Sequence, residues 1–434
     1  MAGVFIAHLI FALVIFNVLL GLIAYLILLE RKTAAWMQDR LGPNRVGPHG
    51  LMQPLADGVK FILKEEFMPT NADPFLFILA PIVIITPALC GFAVIPWGGQ
   101  LLAGTAIPHW IPFIGGWAFP RNFDVMVANP QIGALFILAV ASLSVYGVVL
   151  GGWASGSKYS FLGGMRAAAQ MISYEIPLVL SLLSVAVVAG TLRLGPMVTD
   201  QASYFDTFRF IPAWNVFVQP LAFIIFTICI FAEANRTPFD LAECESELVG
   251  GYHTEYSSMK FAMFFLAEYS AMITGSAAAV ALFLGGWHLP WIDQILYAGP
   301  QPVATGWLGA LLKFVVFAGK ILAFIFFYMW VRWTLPRFRF DQLMNLAWRS
   351  LIPLSLGTFV LAAVFEYMKQ SGIVENRWWL LLGNLVLLAA GIGAGYLLPA
   401  DPTNRRLPVL FSRYNPTPIA EKAEQNADAA NIYA

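Results

Sequence analysis

The sequence predicts an all-α polytopic membrane protein, a helical bundle of about nine transmembrane helices with an amphipathic helix at the interface. Three observations carry this reading. Of 434 residues, 59% are hydrophobic and only 12% are charged, which is more apolar surface than one water-soluble core hides. The apolar residues gather in runs of about 20, the length that crosses roughly 30 Å of hydrocarbon as a helix. The basic residues crowd into alternate loops.

Nine runs qualify as spans: 4–29, 75–96, 130–152, 168–190, 215–232, 261–284, 310–333, 350–368 and 377–398. The first has no basic residue ahead of it and exceeds a signal-peptide core, so it is expected to be retained. If it exits into the loop at 30–74, loops on that side carry seventeen basic residues, against four (Arg121, Arg193, Arg209 and Lys369) on the other. Basic loop residues resist translocation, so the first loop is expected inside, the N-terminus outside and the C-terminus inside. The tail from 399 has too little apolar content to pack. Outer loops such as 97–129 are rich in Pro, Gly and Trp and suit aromatic anchoring at the lipid boundary.

Between the first two spans, QPLADGVKFILK places Leu55, Val59, Ile62 and Leu63 on one helical face and Asp57, Lys60 and Lys64 on the other, with Pro54 in the first turn. This pattern predicts a helix lying on the membrane surface, and an anchoring role is its plainest use. A formal net charge of zero argues against a nucleic-acid partner. Cys90, Cys229 and Cys244 stand far apart, without the spacing of a zinc site or iron-sulfur cluster, and the five histidines show no ligand spacing, so no metal is expected.

Charges inside the spans are costly and need a reason. Glu175 interrupts the fourth span, Glu233 closes the fifth, Glu268 sits in the sixth, and Lys313 and Lys320 occupy the seventh. Each alone is accounted for by a buried ion pair that sets helix register, or, for Lys313 and Glu233, by snorkelling from the end of a span to the interface. Several mid-depth acids on different helices are also what a proton relay requires, since desolvation keeps carboxyls protonated near neutral pH.

The segment AEANRTPFDLAECESELVGGYHTEYSSMK, residues 232–260, adds Asp240, Glu243, Glu245, Glu247 and Glu255 to Glu233, against Arg236 and Lys260 alone. Solvated acidic loops often look like this. Here Asp240, Glu243 and Glu247 fall at i, i+3 and i+7, so a helix starting after Pro238 is expected to align them. Like charges this close do not all ionise cheaply, and the group is expected to titrate as a coupled set.

Four stretches carry a resemblance: ERKTAAWMQDRLGPNRVGPHGLMQPLADGVKFILKEE, QMISYEIP, AEANRTPFDLAECESELVGGYHTEYSSMKFAMFFLAEY and VRWTLPRFRFDQLMNLAW. In this order they resemble the quinone-chamber membrane subunit, the H-type subunit, of bacterial respiratory complex I, the proton-translocating NADH:quinone oxidoreductase. The resemblance covers residues 1–368, leaving 369–398 as an additional span beyond the family's eight and 399–434 as a polar tail. It implies that the chain forms the quinone entry tunnel where the membrane arm meets the peripheral arm. Arg31, Arg40, Arg236, Phe239, Asp240, Arg337 and Arg339 would line or brace that tunnel. Glu175, Glu233, Asp240, Glu243, Glu245, Glu247 and Glu268 would form an acidic path that couples quinone reduction to proton translocation.

No flavin motif, cluster ligand set or nucleotide loop is present, so the chain alone does not move electrons from NADH. The bound substrate expected from the resemblance is a quinone, ubiquinone or menaquinone. The expected partners are the peripheral-arm quinone-site and cluster-bearing subunits, the adjacent small membrane subunits and lipid. Absence of a transit segment and the ninth span point to a bacterial plasma membrane rather than the mitochondrial inner membrane. A self-contained ion-coupled transporter usually shows paired repeats with matching broken helices, and the acidic loop has no counterpart in the other half. A purely structural anchor has no use for Glu175 and Glu268. The equivalent subunit of a membrane-bound hydrogenase is disfavoured by the closeness of the four stretches to the quinone-reducing branch.

Overall fold

The computed structural model describes residues 2–105, 122–203, 212–241, 250–290, 304–374 and 376–397. Among the described residues, seven helices are long and apolar enough to cross a bilayer, and two shorter apolar helices, Pro220–Glu233 and Trp378–Gly393, coincide with the fifth and ninth expected spans. The chain divides into two compact units, Met1–Leu388 and Ala389–Ala434.

In chain order the described helices are α1 (Ala2–Met37), α2 (Gln53–Leu63), α3 (Pro74–Cys90), α4 (Gly133–Ala154), α5 (Lys158–Ala189) and α6 (Leu194–Asp200). There follow α7 (Asn215–Val218), α8 (Pro220–Glu233), α9 (Ser258–Phe283), α10 (Trp307–Thr334), α11 (Phe340–Asn345), α12 (Ile352–Gln370) and α13 (Trp378–Leu397). The fifth span was expected to be continuous over 215–232. It is broken at Gln219 because Pro220 supplies no N–H and disfavours helical backbone in the residue before it. Three two-residue strands, β1 (Gln100–Leu101), β2 (Phe123–Asp124) and β3 (Ala304–Thr305), tie loops into a small sheet of order β2-β1-β3.

The helices pack through small residues, as lipid-embedded bundles do when backbone contact rather than water exclusion holds them. A Cβ on Gly147 of α4 would lie 2.8 Å from the backbone nitrogen of Ile84 in α3, and one on Gly163 of α5 would lie 2.6 Å from the Cα of Gly251. Within its most apolar window α9 is 78% buried by the protein, whereas α1 is only 22% buried. The former is therefore the central helix and the latter a peripheral one.

Helix α2 forms as predicted. Leu55, Val59, Ile62 and Leu63 are exposed, and the polar side is tied down by Asp57, which accepts from Arg31 at 2.8 Å and from Gln53 at 2.9 Å.

Candidate functional site

Helix α1 continues past Leu29, where the apolar run ends, to Met37, and this brings Glu30 inside the protein. One of its oxygens takes the Arg332 guanidinium, with Arg236 at 3.5 Å. The other accepts from the Tyr269 hydroxyl at 2.5 Å. Arg236 also lies over the Tyr269 ring, 4.2 Å from its centroid. Glu30 is thus a buried carboxylate shared by two guanidiniums, satisfied well enough to persist away from water. Sequence reasoning missed both Glu30 and Arg332 as site residues. The available signal was that TAAWM continues a helical pattern beyond the charge, with Ala34 and Ala35 buried.

Arg236 opens a non-helical turn, and Asn235 before it adopts φ 48, a left-handed conformation that Asn tolerates better than most residues. Gln170 of α5 holds this turn from below. Its amide donates to the carbonyls of Ala232 at 2.8 Å and Phe239 at 2.7 Å. From above, the backbone N–H of Phe338 donates to the Pro238 carbonyl at 3.1 Å. Arg337 pairs with buried Asp240 at 3.2 Å. Phe239 packs between the rings of Tyr174 and Phe338, at 5.4 and 5.6 Å. The Tyr174 hydroxyl then donates to the Leu343 carbonyl at 2.9 Å.

The structure therefore brings Arg236, Phe239, Asp240 and Arg337 together. It does not gather the other three predicted basic residues with them. Arg31 is half-exposed and tied to Asp57, Arg40 donates to Gln38 at 2.7 Å on the surface, and exposed Arg339 caps α11 through Gln342. Asp240 lies in coil rather than on the helix expected after Pro238, because its carboxylate is drawn to Arg337 and to Thr237 at 3.5 Å. Glu243, Glu245 and Glu247 lie outside the described residues.

The remaining acids surround a second feature. A cavity of about 70 Å³ runs among α3, α4, α5, α6, α8 and α9, lined by Glu233, Asn235, Glu268, Ser144 and Thr274 in an otherwise apolar wall. Space of that order accommodates several waters, and these polar groups offer the partners that waters need. Half-buried Glu233 lies within electrostatic reach of half-buried Glu175, and Tyr328 lies within reach of both Glu233 and Arg236. Glu268 is buried, and its Oε1 accepts from the Tyr252 hydroxyl at 3.3 Å. Nearby, Tyr256 stacks on Phe77 at 4.1 Å, and burial pushes its hydroxyl well above the ordinary phenol range.

The two lysines of the seventh span differ in use. Lys313 is fully buried. Lys320 donates to the carbonyls of Leu284 and His288 at 2.7 and 2.6 Å and lies over the Trp214 ring, so it caps the end of α9. Among the described residues, no group of three or more His, Cys, Asp or Glu side chains is assembled that could hold a metal ion.

Comparison with known proteins places this chain in a family. The model of the NADH dehydrogenase family matches residues 10–363. The H-type subunit of the NADH-quinone oxidoreductase of Leptospira biflexa is 46% identical over 360 residues, 82% of this chain and 94% of that protein. Its counterpart in Cytophaga hutchinsonii is 47% identical over 342 residues, 79% and 91% of the two chains. A counterpart in Geobacter metallireducens is 47% identical over 349 residues, 80% and 93%. A match of this length and identity, on a polytopic helical chain with buried charges at the ends and middles of its spans, makes the chain a member of the NADH dehydrogenase family, alongside the bacterial H-type subunits of NADH-quinone oxidoreductase.

Proposed function

We propose that the chain forms the quinone entry tunnel of a proton-translocating NADH:quinone oxidoreductase and carries an acidic path that couples quinone reduction to proton movement. The observation that carries this reading is the adjacency of two features. The Arg236, Phe239, Asp240 and Arg337 turn, braced by Glu30, sits beside a largely apolar cavity bearing Glu233 and Glu268. Guanidinium groups suit the polar head of a quinone, and Phe239, wedged between Tyr174 and Phe338, holds in place the turn that carries them. Arg31, Arg40 and Arg339 guide or brace the approach from the surface. Reduction to quinol draws electrons from a cluster-bearing partner and takes up protons, and the resulting change of local charge alters proton affinity at Glu233, Glu175 and Glu268 in turn. Glu243, Glu245 and Glu247 extend the same acidic set in sequence.

The working assembly includes peripheral-arm and small membrane subunits, in a bacterial plasma membrane with the N-terminus outside and the C-terminus inside. Residues 369–398 add a span to the 1–368 domain, and 399–434 form a polar tail. Replacing Asp240 by Asn, or Glu243 or Glu247 by Gln, is expected to leave a large particle on native gels but depress quinone reductase activity. Wild-type turnover in all three variants defeats the assignment. Migration of the chain as a small particle favours a self-contained carrier instead.

A further inference from the structure

We propose that Tyr252 is a positioning residue for Glu268, holding that carboxyl in the orientation in which it serves the cavity. The inference rests on the acidic-path reading above and adds to it a residue that carries no charge. Tyr252 is fully buried, and its hydroxyl donates to Glu268 Oε1 at 3.3 Å. Its ring is fixed edge-on against Phe264 at 5.3 Å and His253 at 4.9 Å. Its backbone is fixed as well. Gly251 beside it sits so close to Gly163 that a single added carbon would collide, and its own φ of 63 is one that glycine adopts freely.

Glu268 has three rotatable side-chain bonds and sits on the central helix, facing a cavity that it shares with Glu233 and Asn235. A carboxyl in such a place is useful as a proton carrier only when it points at its exchange partners, and an anchored donor favours one rotamer over the others. The tyrosine does this from the turn at 250–254, which rests on α5, while Glu268 belongs to α9. The carboxyl's orientation is thereby referred to α5 and to the segment leading out of the acidic loop, rather than to its own helix alone. The phenol keeps its proton throughout, so the step is one of aim and leaves the count of protons unchanged.

The test uses the intact complex in sealed inverted membrane vesicles, comparing Tyr252→Phe, Glu268→Gln and the double variant. Tyr252→Phe keeps the ring contacts, so NADH:quinone reductase activity is expected to stay within about twofold of wild type. The protons translocated per quinone reduced are expected to fall. In the Glu268→Gln background the second substitution is expected to add nothing further, since the tyrosine acts through that carboxyl. Tyr252→His, which returns a donor on a smaller ring, is expected to recover part of the yield relative to Tyr252→Phe. Wild-type proton yield in Tyr252→Phe alongside a loss in Glu268→Gln overturns this inference alone. Wild-type yield in Glu268→Gln overturns the acidic-path reading and this inference with it. A full additive loss in the double variant, or no recovery with His, marks Tyr252 as a structural residue only and overturns the proposal.

Discussion

At the scale of single residues, the charges divide into those that hold the structure and those that the proposed path assigns to proton transfer. Glu30 belongs to the first kind, since it neutralises Arg236 and Arg332 where neither is fully hydrated. Glu30→Ala is expected to destabilise the chain by about 3–5 kcal/mol, because it leaves guanidiniums uncompensated away from water. The check is a lowered thermal midpoint of the detergent-solubilised complex, with less of it assembled. Gln170→Leu preserves volume but removes the donor to the Ala232 and Phe239 carbonyls. A loss of about 1–3 kcal/mol is expected, read as earlier heat inactivation of quinone reductase. Glu175, Glu233, Glu268 and Asp240 were legible in the sequence because each breaks an apolar run or clusters with like charges. Glu30 was not, because hydropathy marks where lipid-compatible residues stop and says nothing of where a helix stops.

At the scale of elements, the spans were legible and their interruptions less so. Length and apolarity give the span positions directly, whereas the break at Gln219 and the extension of α1 depend on backbone details local to a proline and a buried ion pair. The lysines of α10 show the same limit. Position alone allowed Lys313 to snorkel from the end of its span, but it is fully buried, and Lys320 closes the end of α9 by donating to two carbonyls. Lys320→Met is accordingly expected to cost about 2 kcal/mol in stability through unsatisfied backbone acceptors, with the proton yield per quinone unchanged. Gly163→Val is expected to abolish assembly, since the contact with Gly251 leaves no room for a side chain and both partners are backbone. Immunodetection of the complex on native gels separates the two outcomes.

At the scale of the whole molecule, the first unit extends through Leu388, past the end of the family match at 363. The start of α13 is held there. Arg377 pairs with Asp200 at 3.0 Å, and Leu380 is buried beside Ala362 and Phe365. Truncation after residue 368 is therefore expected to retain quinone reductase activity while lowering the thermal midpoint of the complex, as differential scanning of the purified enzyme will register. The central position of α9 has a consequence for how the chain is made. A segment carrying Glu268, and surrounded on nearly all sides by its own protein, is poorly suited to entering lipid alone as it leaves the ribosome. It enters the bilayer in company with its predecessors, so nascent chains stalled soon after it should linger at the insertion machinery and fall to membrane proteases.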